Sequence, residues 1–280
     1  MTSPSVVSAL LDERGIRPKK RLGQHFLCDE NVLNRIVAEV ELIEDDRVLE
    51  IGAGIGTLTE RLAAQAGWVI AVEIDRRLIP LLREQLSACD NVEIWNRDFL
   101  EIDLVRDLKS PVKVVGNLPY QITSPILERL LESRSITPSA LLTVQKEVAD
   151  RLTAPPGSRA VGSLGVLIQS FAEVTQLMGM SRNVFFPRPN VDSALIRLRF
   201  LSGPRFHADE TLFTDVIRSA FQLRRKTIKR ALMGSPLLKL SPDQVNRALE
   251  AAGIDPTSRG EQLTIEEFDR VATELMRMRP

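Results

Sequence analysis

The sequence has few of the residues that build metal sites or disulfide frameworks. It contains two cysteines, Cys28 and Cys89, and two histidines, His25 and His207. These are too few for a cysteine-rich zinc site or for a network of disulfides. We therefore expect no bound metal and a reducing, cytoplasmic environment.

Long hydrophobic runs are also missing. No segment approaches the roughly 20 apolar residues that a membrane span requires. The first residues, MTSPSVVSALLDERG, lack a basic stretch followed by an apolar run, so they do not resemble a signal peptide. We expect a monomeric protein without a membrane anchor. Its apolar content of 44% is enough for a normal globular core.

The chain has no excess of charge, because 37 basic residues balance 37 acidic ones. This balance argues against a protein that coats nucleic acid nonspecifically. Two basic segments nevertheless stand out, one at 17–21 and one at 218–230. Either segment alone is as consistent with a solvated face as with a binding surface. Their presence in a chain of zero net charge favours RNA contacts, and the candidate RNA-binding residues are Lys19, Lys20, Arg21, Arg224, Arg225, Lys226 and Lys229.

Short apolar runs alternate with helical patterns over the first two thirds of the chain. Asp29 is a candidate N-cap, followed by apolar residues at helical spacing. The predicted strands and helices are then strand 48–51, helix 57–66, strand 68–72, helix 75–86, strand 92–95, strand 112–115, helix 124–131, and strands 140–144, 174–178 and 194–200. In the last strand apolar residues alternate with Arg197 and Arg199, which suits an exposed or antiparallel edge.

This alternation predicts an α/β fold of the Rossmann-like type, with a mainly parallel sheet and an antiparallel edge strand. After Ser202-Gly203-Pro204 only helical patterns follow. We therefore predict a first domain at 1–203 and a small all-helical, RNA- or ribosome-binding domain at 204–280.

A glycine-rich segment lies between the first predicted strand of the sheet and the next helix. Gly52, Gly54 and Gly56 let the backbone turn tightly and approach a ligand closely. Glu73 ends the following strand, about 20 residues on, where an acid can accept hydrogen bonds from ribose hydroxyls. A nicotinamide site shares that acid. The Gly-x-Gly-x-Gly spacing, with Thr57 in place of a last glycine, favours a nucleoside without pyrophosphate and therefore S-adenosylmethionine.

Two further segments follow strands. Asp98-Phe99 follows the third strand. The Asp98 carboxylate would accept a hydrogen bond from the cofactor's adenine amine, and the Phe99 ring would lie against the adenine. The alternative is that Asp98 is an ordinary helix cap. Asn117-Leu118-Pro119-Tyr120 follows the fourth.

The chemistry of adenine methylation explains the residue types of this tetrapeptide. The Asn117 oxygen and a backbone carbonyl near Leu118 would hold the two amine hydrogens, and Pro119 would fix the direction of that carbonyl. Tyr120 would stack on the unstacked base. Methyl transfer from the sulfonium then depends on positioning rather than on a metal or a strong base.

The chain resembles the KsgA/Dim family of small-subunit ribosomal RNA adenine dimethyltransferases. The matching segments lie between about residue 18 and 232 and include PKKRLGQHFL, VLEIGAGIGTLT, VVGNLPYQITSPIL, FFPRPNVDSALIRL and AFQLRRKTIKRAL. The resemblance implies methylation of two adjacent adenosines, twice each, in the 3′-terminal hairpin of the small-subunit RNA within a pre-ribosomal particle.

The resemblance also implies site residues. It assigns to the cofactor Gln24, His25, Leu27, Gly52, Gly54, Glu73, Asp98 and Asn117, and Phe99 accompanies Asp98. It places Asn117 and Tyr120 at the target base, with Phe185 opposite Tyr120. Asn190 stands where a lysine is frequent in the family.

Four other functions remain open from the sequence. An Erm-type methylase of large-subunit RNA shares most motifs, although QHFL and AFQLRRKTIKRAL favour the small-subunit family. A DNA adenine methylase would have a proline where Leu118 stands. An assembly checkpoint, with a binding role separable from chemistry, is compatible with the basic segment at 218–230. A nicotinamide dehydrogenase is the remaining alternative at the level of the fold.

Overall fold

The computed structural model describes residues 3–223 and 225–278. Within these residues the strands are β1 (Phe26–Leu27), β2 (Arg47–Ile51), β3 (Trp68–Val72), β4 (Val92–Trp95), β5 (Lys113–Asn117), β6 (Ser139–Gln145), β7 (Ala172–Met180), β8 (Phe185–Phe186) and β9 (Ser193–Phe200). The helices are α1 (Pro4–Glu13), α2 (Glu30–Val40), α3 (Thr57–Ala63), α4 (Ile79–Gln85), α5 (Leu104–Asp107), α6 (Thr123–Glu132), α7 (Lys146–Thr153), α8 (Ser163–Phe171), α9 (Glu210–Gln222), α10 (Ile228–Met233), α11 (Pro242–Ala251) and α12 (Ile265–Arg277).

Seven strands form one sheet in the order β4-β3-β2-β5-β6-β9-β7. The first five are parallel to their neighbours, and β9 runs antiparallel to β6. Helices connect the parallel strands, as such connections require. A separate two-stranded sheet pairs β1 with β8 in antiparallel register. The predicted fold class is confirmed.

The strands β2, β3 and β5 are central in the sheet and read as nearly continuous apolar runs because both of their faces are covered. Before the sheet, Asp29 caps α2 as predicted, its carboxylate accepting from the Val32 N–H at 3.0 Å. One face of α2 is buried. These elements follow directly from the apolar periodicity of the sequence.

Two predicted elements differ from those observed. The helix expected from Asp75 begins only at Ile79, because the Asp75 carboxylate accepts from the Arg77 backbone N–H and holds a turn there. The strand carrying Arg197 and Arg199 is antiparallel as predicted, but it is not the edge, since β7 lies outside it. The two arginines instead pair with Glu39 and Glu41.

The chain divides into two compact units. Unit 1 comprises Met1–Ala149 and Thr175–Phe200, and unit 2 comprises Asp150–Val174 and Leu201–Pro280. The division after residue 200 lies close to the boundary predicted at 203. Residues 150–174, which the sequence placed in the first domain, group with the second unit.

Aromatic packing explains why 150–174 joins unit 2. Phe206 stacks on Phe213 of α9 with centroids 3.8 Å apart, and Phe171 of α8 meets Phe206 edge-on at 5.2 Å. Such ring pairs add to the burial of apolar area. Unit 2 therefore has a core of its own, to which α8 contributes. In the part of the chain that the structure describes, no helix is long and apolar enough to cross a membrane.

Candidate active site

A cavity lies within unit 1 at the edge of the sheet where its parallel strands end. The lining residues come from the segment before α2, from the turn after β2, and from the ends of β3 and β5; those predicted from the sequence are Gln24, His25, Leu27, Gly52, Gly54, Glu73, Asn117 and Pro119. Ligands of open α/β sheets bind at this edge. The structure therefore brings together side chains that are up to 173 positions apart in sequence, from Leu22 to Leu195.

The glycine turn after β2 closes one side of the cavity. Gly54 has a positive φ of 59°, and a Cβ there would lie 3.2 Å from the Phe26 ring. A side chain at this position would meet both a strained backbone and a crowded space. The Gly54 N–H donates to Glu73 Oε2 at 2.8 Å. The turn and the acid at the end of β3 are thus one hydrogen-bonded unit.

Glu73 is almost fully buried, with 5% exposure. Its other oxygen, Oε1, accepts from the Asp75 N–H at 2.7 Å. Burial raises the pKa of the Glu73 carboxyl, and these two backbone N–H groups oppose that rise. Each carboxylate oxygen has a second lone pair, so the acid keeps acceptor capacity toward a ligand.

Glu50 is a cavity residue that was not singled out from the sequence. It lies inside the apolar run of β2, is 3% exposed, and its Oε2 has no hydrogen-bond partner among the described residues. Burial raises the pKa of Glu50 to about 7, and the nearby Glu73 acts in the same direction. An acid within an otherwise apolar strand was the available signal, because a buried carboxyl needs a functional or structural reason.

The buried acid predicts that stability falls as the pH rises. The pKa of Glu50 is higher in the folded chain, so between about 4.5 and 7 the folded state binds more protons than the unfolded state. Without methyl donor, the free energy of unfolding should fall by about 3 kcal/mol across this range because of Glu50. Denaturant titrations of wild type and Glu50→Gln across this pH range measure the free energy of unfolding. The variant should lose most of this slope, and exposed Glu44→Gln should keep it; equal slopes in all three would contradict the assignment.

Gln24 ties the segment before α2 to the turn after β3. Its Nε2 donates to Asp75 Oδ2 at 2.9 Å, and its Oε1 accepts from the Lys19 N–H at 2.7 Å. The Arg77 guanidinium holds the pKa of Asp75 well below its usual range. Gln24 therefore lines the cavity with both ends of its amide engaged by the protein, and its contact with a cofactor stays a prediction.

Asn117 reaches the cavity from the end of β5. Its Nδ2 donates to the His25 carbonyl at 2.7 Å. Since the nitrogen is the donor, the side chain's orientation is set and Oδ1 serves as an acceptor. The tetrapeptide also packs closely against the segment before β1. A Cβ added to Gly23, where φ is 60°, would lie only 3.0 Å from Pro119 Cβ. The QHFL segment and the tetrapeptide thus form one packed unit.

The rest of the tetrapeptide is held by hydrogen bonds to β6 and to the residues that follow it. The Leu118 N–H donates to the Thr143 carbonyl of β6 at 3.0 Å, and the Leu118 side chain is buried. The Pro119 carbonyl accepts from the Ile122 N–H and from the Thr123 hydroxyl. The Pro119 carbonyl is therefore occupied.

Tyr120 is half-buried beside the cavity. Its ring stacks on His25 with centroids 5.6 Å apart and an interplanar angle of 26°. Its hydroxyl is hydrogen-bonded to Ser193 Oγ at 2.7 Å. The His25 ring is itself held through Nδ1, 2.6 Å from the Pro187 carbonyl.

Five predicted site residues do not line the cavity: Leu118, Tyr120, Phe185, Asp98 and Phe99. Phe185 is 2% exposed and packs in the core with Leu27, and the ring beside Tyr120 is that of His25. The contact of Phe185 with a target base, opposite Tyr120, stays a prediction. Asp98 caps a short 3₁₀ turn by accepting from the Leu100 N–H at 2.9 Å, and Phe99 is buried beside it. Their contacts with a cofactor stay predictions.

The candidate RNA-binding residues differ in their exposure and in whether a nearby acid pairs with their charge. Lys20, Arg21, Arg225 and Lys226 are exposed, whereas Lys19 is 3.6 Å from the Asp75 carboxylate. Lys229 is partly exposed, and Arg224 lies outside the described residues. Across the described residues, Arg225, Lys226 and Lys229 form no ion pair. These charges are available to a polyanion.

A comparison with protein-family models identifies the family of this chain. The family model for ribosomal RNA adenine dimethylase matches residues 15–277. The chain belongs to the ribosomal RNA adenine dimethylase family. It is therefore a methyltransferase that acts on ribosomal RNA and takes its methyl group from S-adenosylmethionine, which confirms the predicted enzyme class and cofactor.

Relatives of this dimethylase match it along nearly their whole length. Ribosomal RNA small subunit methyltransferase A of Clostridium acetobutylicum is 42% identical over 96% of this chain and 97% of its own. The protein of the same name from Geobacillus thermodenitrificans is 43% identical over 99% of this chain and 97% of its own.

Solved structures agree with the fold. The 23S rRNA methyltransferase ErmE is 32% identical, with a TM-score of 0.70 over 90% of this chain and 99% of its own. A dimethyladenosine transferase of Plasmodium falciparum, 24% identical, has a TM-score of 0.78 over 90% of this chain and 98% of its own. At that identity the second match supports the fold alone.

Proposed function

We propose that this dimethylase methylates the N6 amines of two adjacent adenosines in the 3′-terminal hairpin of small-subunit ribosomal RNA, within a pre-ribosomal particle. It acts as a monomer in the cytoplasm. The proposed chemistry rests on the orientation of the Asn117 side chain. Its amide nitrogen donates to the His25 carbonyl, so its oxygen remains an acceptor at the cavity. The names of the relatives matched at 42–43% identity support the small-subunit substrate.

The cavity lining fits S-adenosylmethionine. It combines apolar walls with two buried acids, Glu50 and Glu73, and a glycine turn through which a ligand can approach the backbone. The unpartnered Glu50 oxygen fits a ligand that brings hydrogen-bond donors, such as a ribose or an amino group. S-adenosylmethionine supplies, when bound, an electrophilic methyl group on a sulfonium centre.

The protein's part in the reaction is to prepare the adenine amine. Asn117 Oδ1 accepts one amine hydrogen. The Leu118 carbonyl is the acceptor for the second, because the Pro119 carbonyl is already used by Ile122 and Thr123. Both contacts draw the nitrogen lone pair out of the ring and toward the methyl group. The surplus proton leaves to solvent after the transfer, and the rate derives from positioning and fixed acceptors.

Glu73 is expected to hold the cofactor. Glu73→Ala should weaken S-adenosylmethionine binding by about tenfold to a hundredfold, since hydrogen bonds to a charged group contribute about 1.5–3 kcal/mol. Isothermal titration calorimetry measures the affinity. The exposed Glu93→Ala, also on the sheet, is the control and should bind normally. Unchanged affinity in Glu73→Ala would remove this acid from the cofactor site.

The basic segment of unit 2 is expected to contact RNA phosphates. Reversing Arg225 and Lys226 to glutamate should weaken RNA binding and make log affinity fall less steeply with log salt, by about 0.7–0.9 for each phosphate that is no longer neutralised. Filter binding at several salt concentrations measures the slope. Reversing Arg247 and Arg277, which pair with acids on α11 and α12, is the control. A slope equal to wild type would mark 225–226 as a solvated face.

The small-subunit substrate is tested by mapping dimethyladenosine in ribosomal RNA from a strain that lacks the gene. The proposal expects loss at the two adjacent adenosines of the small-subunit hairpin and an unchanged large subunit. Loss at a large-subunit adenosine, with the small-subunit hairpin still modified, would instead support an Erm-type activity. The ErmE structure is less similar in sequence, at 32% identity, than the small-subunit relatives.

A further inference from the structure

Ser193 is a fully buried polar residue beside the site that no step of the proposed chemistry uses. It is 0% exposed and begins β9, where it is in register with Gln145 of β6. Just before it, the Asp192 carbonyl accepts from the Lys146 N–H at 3.0 Å. Ser193 therefore stands on a backbone that is held by the sheet and has little freedom to move.

The Ser193 hydroxyl reaches the tip of Tyr120. The two oxygens are 2.7 Å apart, a good hydrogen-bond distance, and they join parts of the chain 73 positions apart. The other end of Tyr120 is fixed where its backbone begins the turn Tyr120–Ile122, and one face of its ring lies on His25. A ring held at its backbone, one face and its hydroxyl has a defined plane.

We infer that Ser193 is a positioning residue: through the Tyr120 hydroxyl it sets the plane of the ring on which the target adenine stacks. The inference rests on the proposed function, because it takes Tyr120 as the platform for the base. Ser193 itself touches no reacting atom. A small tilt of the platform would move the amine away from Asn117 Oδ1, and errors of about 1 Å at a reacting centre can cost about a hundredfold in rate.

The alternative is that the hydrogen bond only satisfies a buried hydroxyl and contributes to stability. Both roles predict a less stable Ser193→Ala protein, so stability does not separate them. Kinetics do. A positioning role lowers kcat while S-adenosylmethionine affinity stays the same, and it requires that Ser193 and the Tyr120 hydroxyl act as one unit.

The test is a double-mutant cycle of Ser193→Ala and Tyr120→Phe, assayed for methyl transfer to small-subunit particles at saturating methyl donor. Each single variant should lose roughly tenfold in kcat, the net worth of one buried hydrogen bond. The double variant should lose no more than either single one. Ser193→Thr, which keeps a hydroxyl, should recover activity. Ser170→Ala, which removes another fully buried serine hydroxyl in α8, should leave kcat unchanged.

A spectroscopic measurement reads the platform directly, because Tyr120 is the only tyrosine in the sequence. Protein labelled with meta-fluorotyrosine should give one fluorine NMR resonance. Ser193→Ala should shift or broaden it, whereas Ser170→Ala should not. Should Ser193→Ala fail to fold, Tyr120→Phe breaks the same bond from the other side and still tests the kcat effect.

The outcomes are distinguishable. Near-wild-type kcat in both Ser193→Ala and Tyr120→Phe, or fully additive losses in the double variant, would overturn the positioning role. If Tyr120→Ala is inactive in that same case, the proposed base platform stands and only the inference about Ser193 falls. If Tyr120→Ala is also fully active, the platform itself is wrong, and the inference falls with it.

Discussion

Asn117→Ala is expected to lower kcat for adenine methylation by about a hundredfold to a thousandfold. The variant loses the acceptor that holds one amine hydrogen, and removal of a comparable preorganised hydrogen-bonding group costs about this much in other enzymes. It also loses the donation from Nδ2 to the His25 carbonyl, which fixes the loop. Single-turnover methyl transfer, with the Asn117→Ala protein in excess over RNA, measures the chemical step.

Folding should stay near wild type in this variant, because Asn117 is only partly buried. Thermal unfolding checks this, and calorimetry with S-adenosylmethionine separates any loss of cofactor affinity from a loss in the chemical step. The exposed Asn246→Ala in α11 is the matched control and should transfer methyl groups normally. A rate within a few fold of wild type in Asn117→Ala would contradict the proposed chemistry.

Tyr120→Ala is expected to lower kcat/KM by about tenfold to a hundredfold. The variant removes the stacking platform for the unstacked adenine, and stacking of one base on an aromatic side chain contributes about 1–3 kcal/mol. Steady-state kinetics on small-subunit particles measure the loss. Tyr120→Phe keeps the ring and should lose less than Tyr120→Ala. Equal activity of the alanine variant and wild type would show that the base lies elsewhere.

The sheet was predictable from the sequence because its central strands are buried on both faces. A run such as Val48–Ile51 is apolar except for Glu50 in that setting, and the glycine turn that follows it has to leave room for Phe26. The polar residues at the strand ends were predictable for a related reason, because the carboxyl ends of parallel strands lie at one edge of the sheet. This is why Glu73 and Asn117 line the same cavity.

What the sequence did not reveal depends on long-range packing. An acid within the apolar run of β2 was the signal for a buried carboxyl, but the run also reads simply as a strand, and Glu50 was not singled out. The assignment of 150–174 to unit 2 depends on the Phe171–Phe206 contact, and nothing local indicates it. Phe185 matches a family motif by spacing, but spacing does not show that the ring packs beside Leu27 in the core.

The substrate and the reaction are tested together by one measurement. Small-subunit particles from a strain without this modification are incubated with the dimethylase and S-adenosylmethionine, and the adenosines of their RNA are analysed by mass spectrometry. The account predicts dimethyladenosine at two adjacent positions of the 3′-terminal hairpin, and none with the Asn117→Ala protein. Unmodified adenosines in small-subunit particles, with methylation of large-subunit RNA or of DNA instead, would contradict it.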